Sequence, residues 1–170
     1  MISGKHVNVR AYSESDMDVI RKWQRSPGPG PAFLGNLAAR PLGGNPELFR
    51  VSWVKNLIVE TRDSSQPIAA MRLDHVRMTD RTGALFYEIG ETEFADKPHA
   101  EEALRLVLEL LFGEQNLRRV YTYLMDHEKN MVALFEKTGF KKEAVLPERL
   151  FYGGKYHPVS IYGLLGEELH

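Results

Sequence analysis

Few ionisable side chains in this chain are placed to move a proton. Glu88 stands inside the largely apolar run Ala84 to Gly90, between Tyr87 and Ile89, where a carboxylate is costly unless it is paired or faces solvent. It is either such a paired or edge-exposed residue, or a group kept for proton transfer. His127 and Glu128 close a second run, Arg119 to Met125. An imidazole at a strand end works as an acid or base near neutral pH if a cleft adjoins it, and is otherwise a loop residue. Asp74 and His75 are neighbours in the manner of a dyad, but adjacent residues of a strand point to opposite faces, which argues against the pairing. Tyr121 and Tyr123 share one face and read as packing. There are no cysteines, so a thiolate nucleophile, thiolate metal ligands and disulfides are excluded. The histidines are scattered without metal-ligand spacing, and no metal is expected.

The elements that must hold these groups follow from periodicity. His6 to Ala11 alternates as a first strand, and Ser13 with Asp16 forms a capping-box start for a helix that turns Met17, Ile20 and Trp23 to one side. Pro27-Gly28-Pro29-Gly30-Pro31 ends that helix, so Ser26 to Asn45 reads as loop. Asn45-Pro46 looks like the cap and first position of a helix through Val54. Leu57 to Thr61, Ile68 to Met78 and Ala84 to Gly90 read as an antiparallel meander. From Pro98 the period becomes helical: Ala100, Ala103, Leu104, Val107, Leu108 and Leu111 form one stripe, with Gly113 just past its end. Arg119 to Met125 is again a strand, and Lys129 to Thr138 a short helix closed by Gly139. The strands Ala144 to Tyr152 and Tyr156 to Leu164 are joined by the hairpin signal Gly153-Gly154.

With 170 residues, 43% of them hydrophobic and 26% charged, the chain is expected to form one domain spanning 1–170 rather than a disordered segment. Lys plus Arg total 22 against 23 for Asp plus Glu, a balance that argues against nucleic acid or an acidic membrane as partner. The start Met1-Ile2-Ser3-Gly4-Lys5-His6 has no apolar leader, and the stretch Leu104 to Phe112 is too short and too charged to span a bilayer. A cytoplasmic location is the expectation.

The second half carries a resemblance. Glu88-Ile89-Gly90-Glu91, Ala100-Glu101-Glu102-Ala103-Leu104, Leu117-Arg118-Arg119-Val120-Tyr121, Leu134-Phe135-Glu136-Lys137-Thr138-Gly139-Phe140 and Ile161-Tyr162-Gly163-Leu164 resemble, in register, the core of the GNAT family of N-acetyltransferases. The branch that acetylates ribosomal-protein N-termini and small amines is the most similar, and Val9-Arg10, Asp16 and Trp23 resemble its opening. The likeness runs from Val7 to Leu165. It implies an α/β (α+β) GNAT fold, a mixed and mostly antiparallel sheet of about seven strands flanked by about four helices.

The resemblance further implies transfer of an acetyl or related acyl group from acetyl-CoA to a primary amine of a small molecule or peptide. The proton-moving groups would come from Glu88, His127 and Glu128, and the cofactor contacts from Gly90, Lys97, His99 and Ala100. The branch holds the cofactor's diphosphate on a loop worded R-G-K-G-Y-A-T-E-A-L, using backbone N–H groups and a helix N-terminus. Here the same stretch is Ala95-Asp96-Lys97-Pro98-His99-Ala100-Glu101-Glu102-Ala103-Leu104. Asp96 and Glu101 bring negative charge to an anion site, and Pro98 removes a donor. The family's Asn and Tyr on the later helix are Glu128 and Phe135 here. An alternative therefore stands beside the enzyme reading: a GNAT-derived protein that no longer uses acetyl-CoA, with redirected small-molecule chemistry or as a non-catalytic binding module. Acceptor choice in such a fold rests on the segment Ser26 to Asn45 and its neighbours, and neither the acceptor nor the oligomeric state follows from the sequence.

Overall fold

The computed structural model describes residues 1–24, 55–95 and 97–169. The expected loop and helix between Ser26 and Val54 lie outside the described residues, as does Asp96. One eight-stranded sheet organises the rest, in spatial order β1-β2-β3-β4-β5-β6-β8-β7. Its strands are β1 (Ile2–Ser3), β2 (Val7–Ala11), β3 (Lys55–Thr61), β4 (Pro67–Arg77), β5 (Thr82–Ile89), β6 (Arg119–Leu124), β7 (Lys141–Tyr152) and β8 (Lys155–Leu165). The sheet has one strand more than expected. Ile2–Ser3 adds to β2 in antiparallel register, and a two-residue strand is too short to show alternation. Three α-helices are described: α1 (Met17–Gln24), α2 (Pro98–Glu109) and α3 (Lys129–Lys137).

Every pairing is antiparallel except β5 with β6. A parallel pair needs a crossover, and α2 supplies it. The apolar stripe of α2, Ala100, Ala103, Leu104, Val107 and Leu108, is buried against Val7, Val9, Val59, Leu73, Leu85 and Val120. The chain then widens into a π-helical turn at Leu110–Glu114. Gly113 therefore sits inside the helical run rather than past it, in open space, while the wider turn delivers Leu111 to the core. On the opposite face of the sheet, Ile20 and Trp23 of α1 pack on Ile58.

The capping box at Ser13 and Asp16 is present, and its carboxylate serves a larger purpose. Asp16 takes two bonds from the Arg10 guanidinium, at 2.7 and 2.8 Å, while Arg10 Nε reaches Glu60 at 2.8 Å. Asp16 and Glu60 are 4% and 7% exposed, so both charges depend on that one cation. Gly139 (φ 99°) closes α3 as expected, and Gly153 (φ 60°) and Gly154 (φ 80°) make the last hairpin turn.

Candidate functional site

β5 and β6 pair only at Thr82–Arg119, Gly83–Val120 and Ala84–Tyr121. Beyond Ala84 the two strands part. β5 continues along β4 to Ile89, while β6 follows β8 to Leu124. The orientation of the freed edge follows from one bond: the Gly90 N–H donates to the Ile68 carbonyl at 2.9 Å. In an antiparallel ladder such bonds alternate, so Phe86 and Glu88 also turn their backbone groups to β4. The Leu85 N–H completes the last rung of the ladder to β6, at Ala84–Tyr121; beyond it the Leu85 carbonyl and the N–H and C=O groups of Tyr87 and Ile89 are directed into the wedge. This edge is a row of preorganised donors and acceptors beside an opening. Sequence reasoning predicts the opening from the fold but cannot say which peptide groups it exposes, because the phase of the ladder leaves no mark on residue type.

Side chains alternate across the same strand. Leu85 and Tyr87 belong to the core beneath α2; Phe86 and Glu88 face the α1 side. Glu88 is half-buried and, among the described residues, has neither a hydrogen-bond partner nor a cation. Burial alone pushes its carboxyl up to about 7. Among the described residues it is therefore not half of a salt bridge. The aromatic residues read from sequence as packing line this face too. Phe86 stacks on Tyr123 at 6.1 Å and 10°, and Tyr121 meets Tyr123 edge-on at 5.8 Å.

The rest of the predicted set is dispersed. Glu128 caps α3 at the end of β6, accepts the Met125 N–H at 3.0 Å, and is pushed up chiefly by burial. Glu88 and Glu128 both lie beyond the point where β5 and β6 part. His127 is exposed, with its ring 5.9 Å from that of His157. Phe135 is fully buried, edge-on to Phe140 at 4.8 Å, and has no proton to give. At Asp74 and His75 no dyad forms, as expected, although the strand does not alternate regularly there: β4 is irregular between Asp74 and Arg77 and His75 has φ 51°. The His75 Nδ1 comes within 3.9 Å of Asp74, too far for a hydrogen bond, and Asp74 is held instead by Arg72 at 2.6 Å.

Gly90 is pinned twice, by its bond to Ile68 and by Trp23, since a Cβ at Gly90 would lie 2.0 Å from the indole. Glu91 holds the Trp23 Nε1–H at 3.0 Å and Lys22 at 2.7 Å, fixing α1 over the end of β5. Neither contact is visible in the sequence pattern.

At the start of α2 the loop curls on itself. The Phe94, Ala95 and Lys97 N–H groups donate to the carbonyls of Glu91, Thr92 and Phe94, and the Ala100 N–H donates to Lys97. The Lys97 ammonium lies 4.3 Å over the Phe94 ring. His99 is set between His6 and Phe94, with centroids 5.3 and 5.0 Å away; its Nδ1 is buried without a partner, and burial, with His6 and Lys97 nearby, lowers its pKa. The Ala100 carbonyl accepts the hydroxyl of Tyr87 at 3.2 Å. One sequence objection to anion binding weakens: Glu101 is paired with Lys137 at 2.5 Å and Arg105 at 3.2 Å, so its charge is answered. Glu102 turns the other way and accepts the His6 N–H at 2.8 Å.

These observations divide the fit to acetyl-CoA in two. An extended arm bearing amide groups matches the open edge from the Leu85 carbonyl through Tyr87 and Ile89, in the manner of strand addition. Among the described residues, the loop offers a diphosphate few of the groups it needs. Pro98 has no N–H, those of Lys97 and Ala100 are donated to carbonyls, and no guanidinium stands at Ala95. Among the described residues no group of His, Cys, Asp and Glu is arranged to hold a metal ion, and no helix is long and apolar enough to cross a membrane.

The sequence matches no family model and no curated protein. Among solved structures, it is similar to a chimera of the Vibrio cholerae spermidine N-acetyltransferase SpeG and hSSAT, with TM-score 0.78, 20% identity, and coverage of 95% of this chain and 96% of that one. Vibrio cholerae SpeG with manganese ions gives TM-score 0.75 and 20% identity over 95% of this chain and 94% of that one. The Vibrio cholerae spermidine N-acetyltransferase in complex with CoA and spermine gives 0.74 and 19%, over 97% and 98%. Together with the parting of β5 from β6 and the crossover through α2, these likenesses establish that the chain has the GNAT fold of the N-acetyltransferases.

Proposed function

We propose that this protein transfers an acyl group from a thioester to a primary amine, with Glu88 as the base. The observation that carries the reading is the uncompensated Glu88 carboxyl at the open end of the wedge, raised by burial to about 7. The free electron pair of a neutral amine attacks the acyl carbon, and the C–N bond forms. The nitrogen becomes acidic as it bonds, and its surplus proton passes to the Glu88 carboxylate. Backbone N–H groups of the β5 edge stabilise the oxyanion, in the water-poor setting where such donors are most effective. The C–S bond then breaks. A thiol of pKa about 8.5 leaves readily as thiolate and recovers the proton from Glu88 or water. Phe135 is therefore no obstacle, since the leaving group needs no tyrosine.

Glu128, the second carboxyl of the opening, favours entry of a cationic amine by its charge. His127, exposed beside His157, takes no part. A small amine as acceptor is supported by the neighbours, whose printed names are those of spermidine N-acetyltransferases and one of which was solved with spermine. Incubation with acetyl-pantetheine or acetyl-CoA and a panel of primary amines, read by mass spectrometry, tests the reading. Amide product requiring the protein is expected, and its absence across the panel with both donors would refute it.

A further inference from the structure

We infer that the acyl donor is recognised through its acyl-pantetheine arm and that its nucleotide diphosphate makes no productive contact. This rests on the proposed transfer reaction and specifies the donor. Three features of the α2 start point the same way. Among the described residues, backbone donors are lost at three positions: the Lys97 and Ala100 N–H groups bond to carbonyls, and Pro98 has none. The local cations are weak, for Lys97 is exposed and drawn over Phe94, and a lone exposed charge is screened by salt. Arg105 and Lys137 are engaged by Glu101. The His99 ring is wedged between His6 and Phe94, where burial, with His6 and Lys97 nearby, disfavours its charged form.

The arm site, by contrast, is intact. Tyr87 both exposes backbone to the wedge and ties the Ala100 carbonyl to it through its hydroxyl, 3.2 Å away. The start of α2 thus serves as a brace for the strand edge rather than as a cradle for phosphate. A pantetheine arm reaches such a cleft either as part of CoA or tethered to a carrier protein, and the same chemistry recognises both.

Calorimetry with CoA, pantetheine and adenosine 3′,5′-bisphosphate separates the two halves of the donor. Pantetheine is expected to bind within about threefold of CoA, and the bisphosphate to leave pantetheine binding unchanged at about a hundredfold excess. CoA binding more than about thirtyfold tighter than pantetheine would overturn the inference, as would competition by the bisphosphate or failure of pantetheine to bind. A gain-of-function arm uses Ala95→Arg with Pro98→Gly in the full chain, checked for an unchanged thermal midpoint. The pair should raise CoA affinity at least about tenfold without changing pantetheine affinity, because it restores a cation and a donor where the diphosphate would lie. An equal rise for pantetheine would contradict the division. Transfer rates from acetyl-CoA, acetyl-pantetheine and an acetylated carrier protein identify the source of the arm. Parity of the first two supports the inference with a free thioester as donor, and a faster carrier-borne donor supports it with a protein partner. No transfer from any donor, with CoA and pantetheine bound alike, would sink the proposed reaction and leave the binding inference standing.

Discussion

Replacing Glu88 with Gln should make the protein more stable at pH 8 and leave it unchanged at pH 4. The Glu88 carboxyl is half-buried and carries no partner, and burial raises it from an ordinary 4.5 to about 7. Below pH 4.5 it is protonated in both folded and unfolded chains and costs nothing. Between pH 4.5 and 7 the unfolded chain ionises the solvated carboxyl while the folded one keeps its proton, so stability falls over that window and levels off above 7. At about 1.4 kcal/mol per pH unit the penalty at pH 8 is about 3.5 kcal/mol at most, less where water in the wedge screens the charge. Gln has nearly the same volume and never ionises. For a chain of this size each kcal/mol shifts the midpoint by about 2–4 °C, so E88Q should melt about 3–10 °C above wild type at pH 8 and within a degree or so at pH 4. Differential scanning calorimetry at pH 4, 6 and 8 is the assay. A pH-independent difference, or a loss of stability in E88Q at pH 8, would show that Glu88 is paired in solution and refute the reasoning.

Arg10→Ala strands the buried Asp16 and Glu60 carboxylates and should cost about 3–5 kcal/mol, seen as a fall of more than about 6 °C in the midpoint at pH 7. Asp16 is held down to about 2 by the Arg10 guanidinium, so its stabilisation is present above 3.8 and lost as pH falls toward 2; the R10A penalty should shrink in acid titrations over that range. Gly90→Ala pushes a methyl into the Trp23 indole and should cost about 1–3 kcal/mol, with a change in tryptophan emission as the bond to Glu91 breaks. His127→Ala should leave the midpoint within about 2 °C and the transfer rate within about twofold of wild type, because the ring is exposed and its one ring neighbour among the described residues is His157; a hundredfold rate loss would restore it to the site.

The second half of the fold was legible because its signals are local. The stripe from Ala100 to Leu111, Gly139 after α3 and Gly153-Gly154 between the last strands each carry a periodicity or a left-handed turn that residue types encode. The two-residue strand Ile2–Ser3 and the π-helical turn at Leu110–Glu114 left no such mark, since both are set by packing against distant elements. The site was legible in part. Glu88 stood out because a carboxylate inside an apolar strand is costly, and the structure adds that no cation among the described residues pairs with it. The sequence shows the charge of Glu101 but not Lys137 and Arg105, which pair with it. It argues against a dyad at Asp74 and His75, and none forms, although the strand is irregular there rather than alternating.

The central claim is tested most directly by the pH dependence of amine-dependent thiol release from acetyl-pantetheine. The protein has no cysteine, so a thiol reagent reports the product without background. Measured with two amines of different basicity, kcat/KM for wild type should show a limb of apparent pKa near 7 that does not move with the amine. In E88Q that limb should vanish and the rate fall by about 10²–10⁴. Thiol release by E88Q at the wild-type rate, with the same limb near 7, would contradict the account.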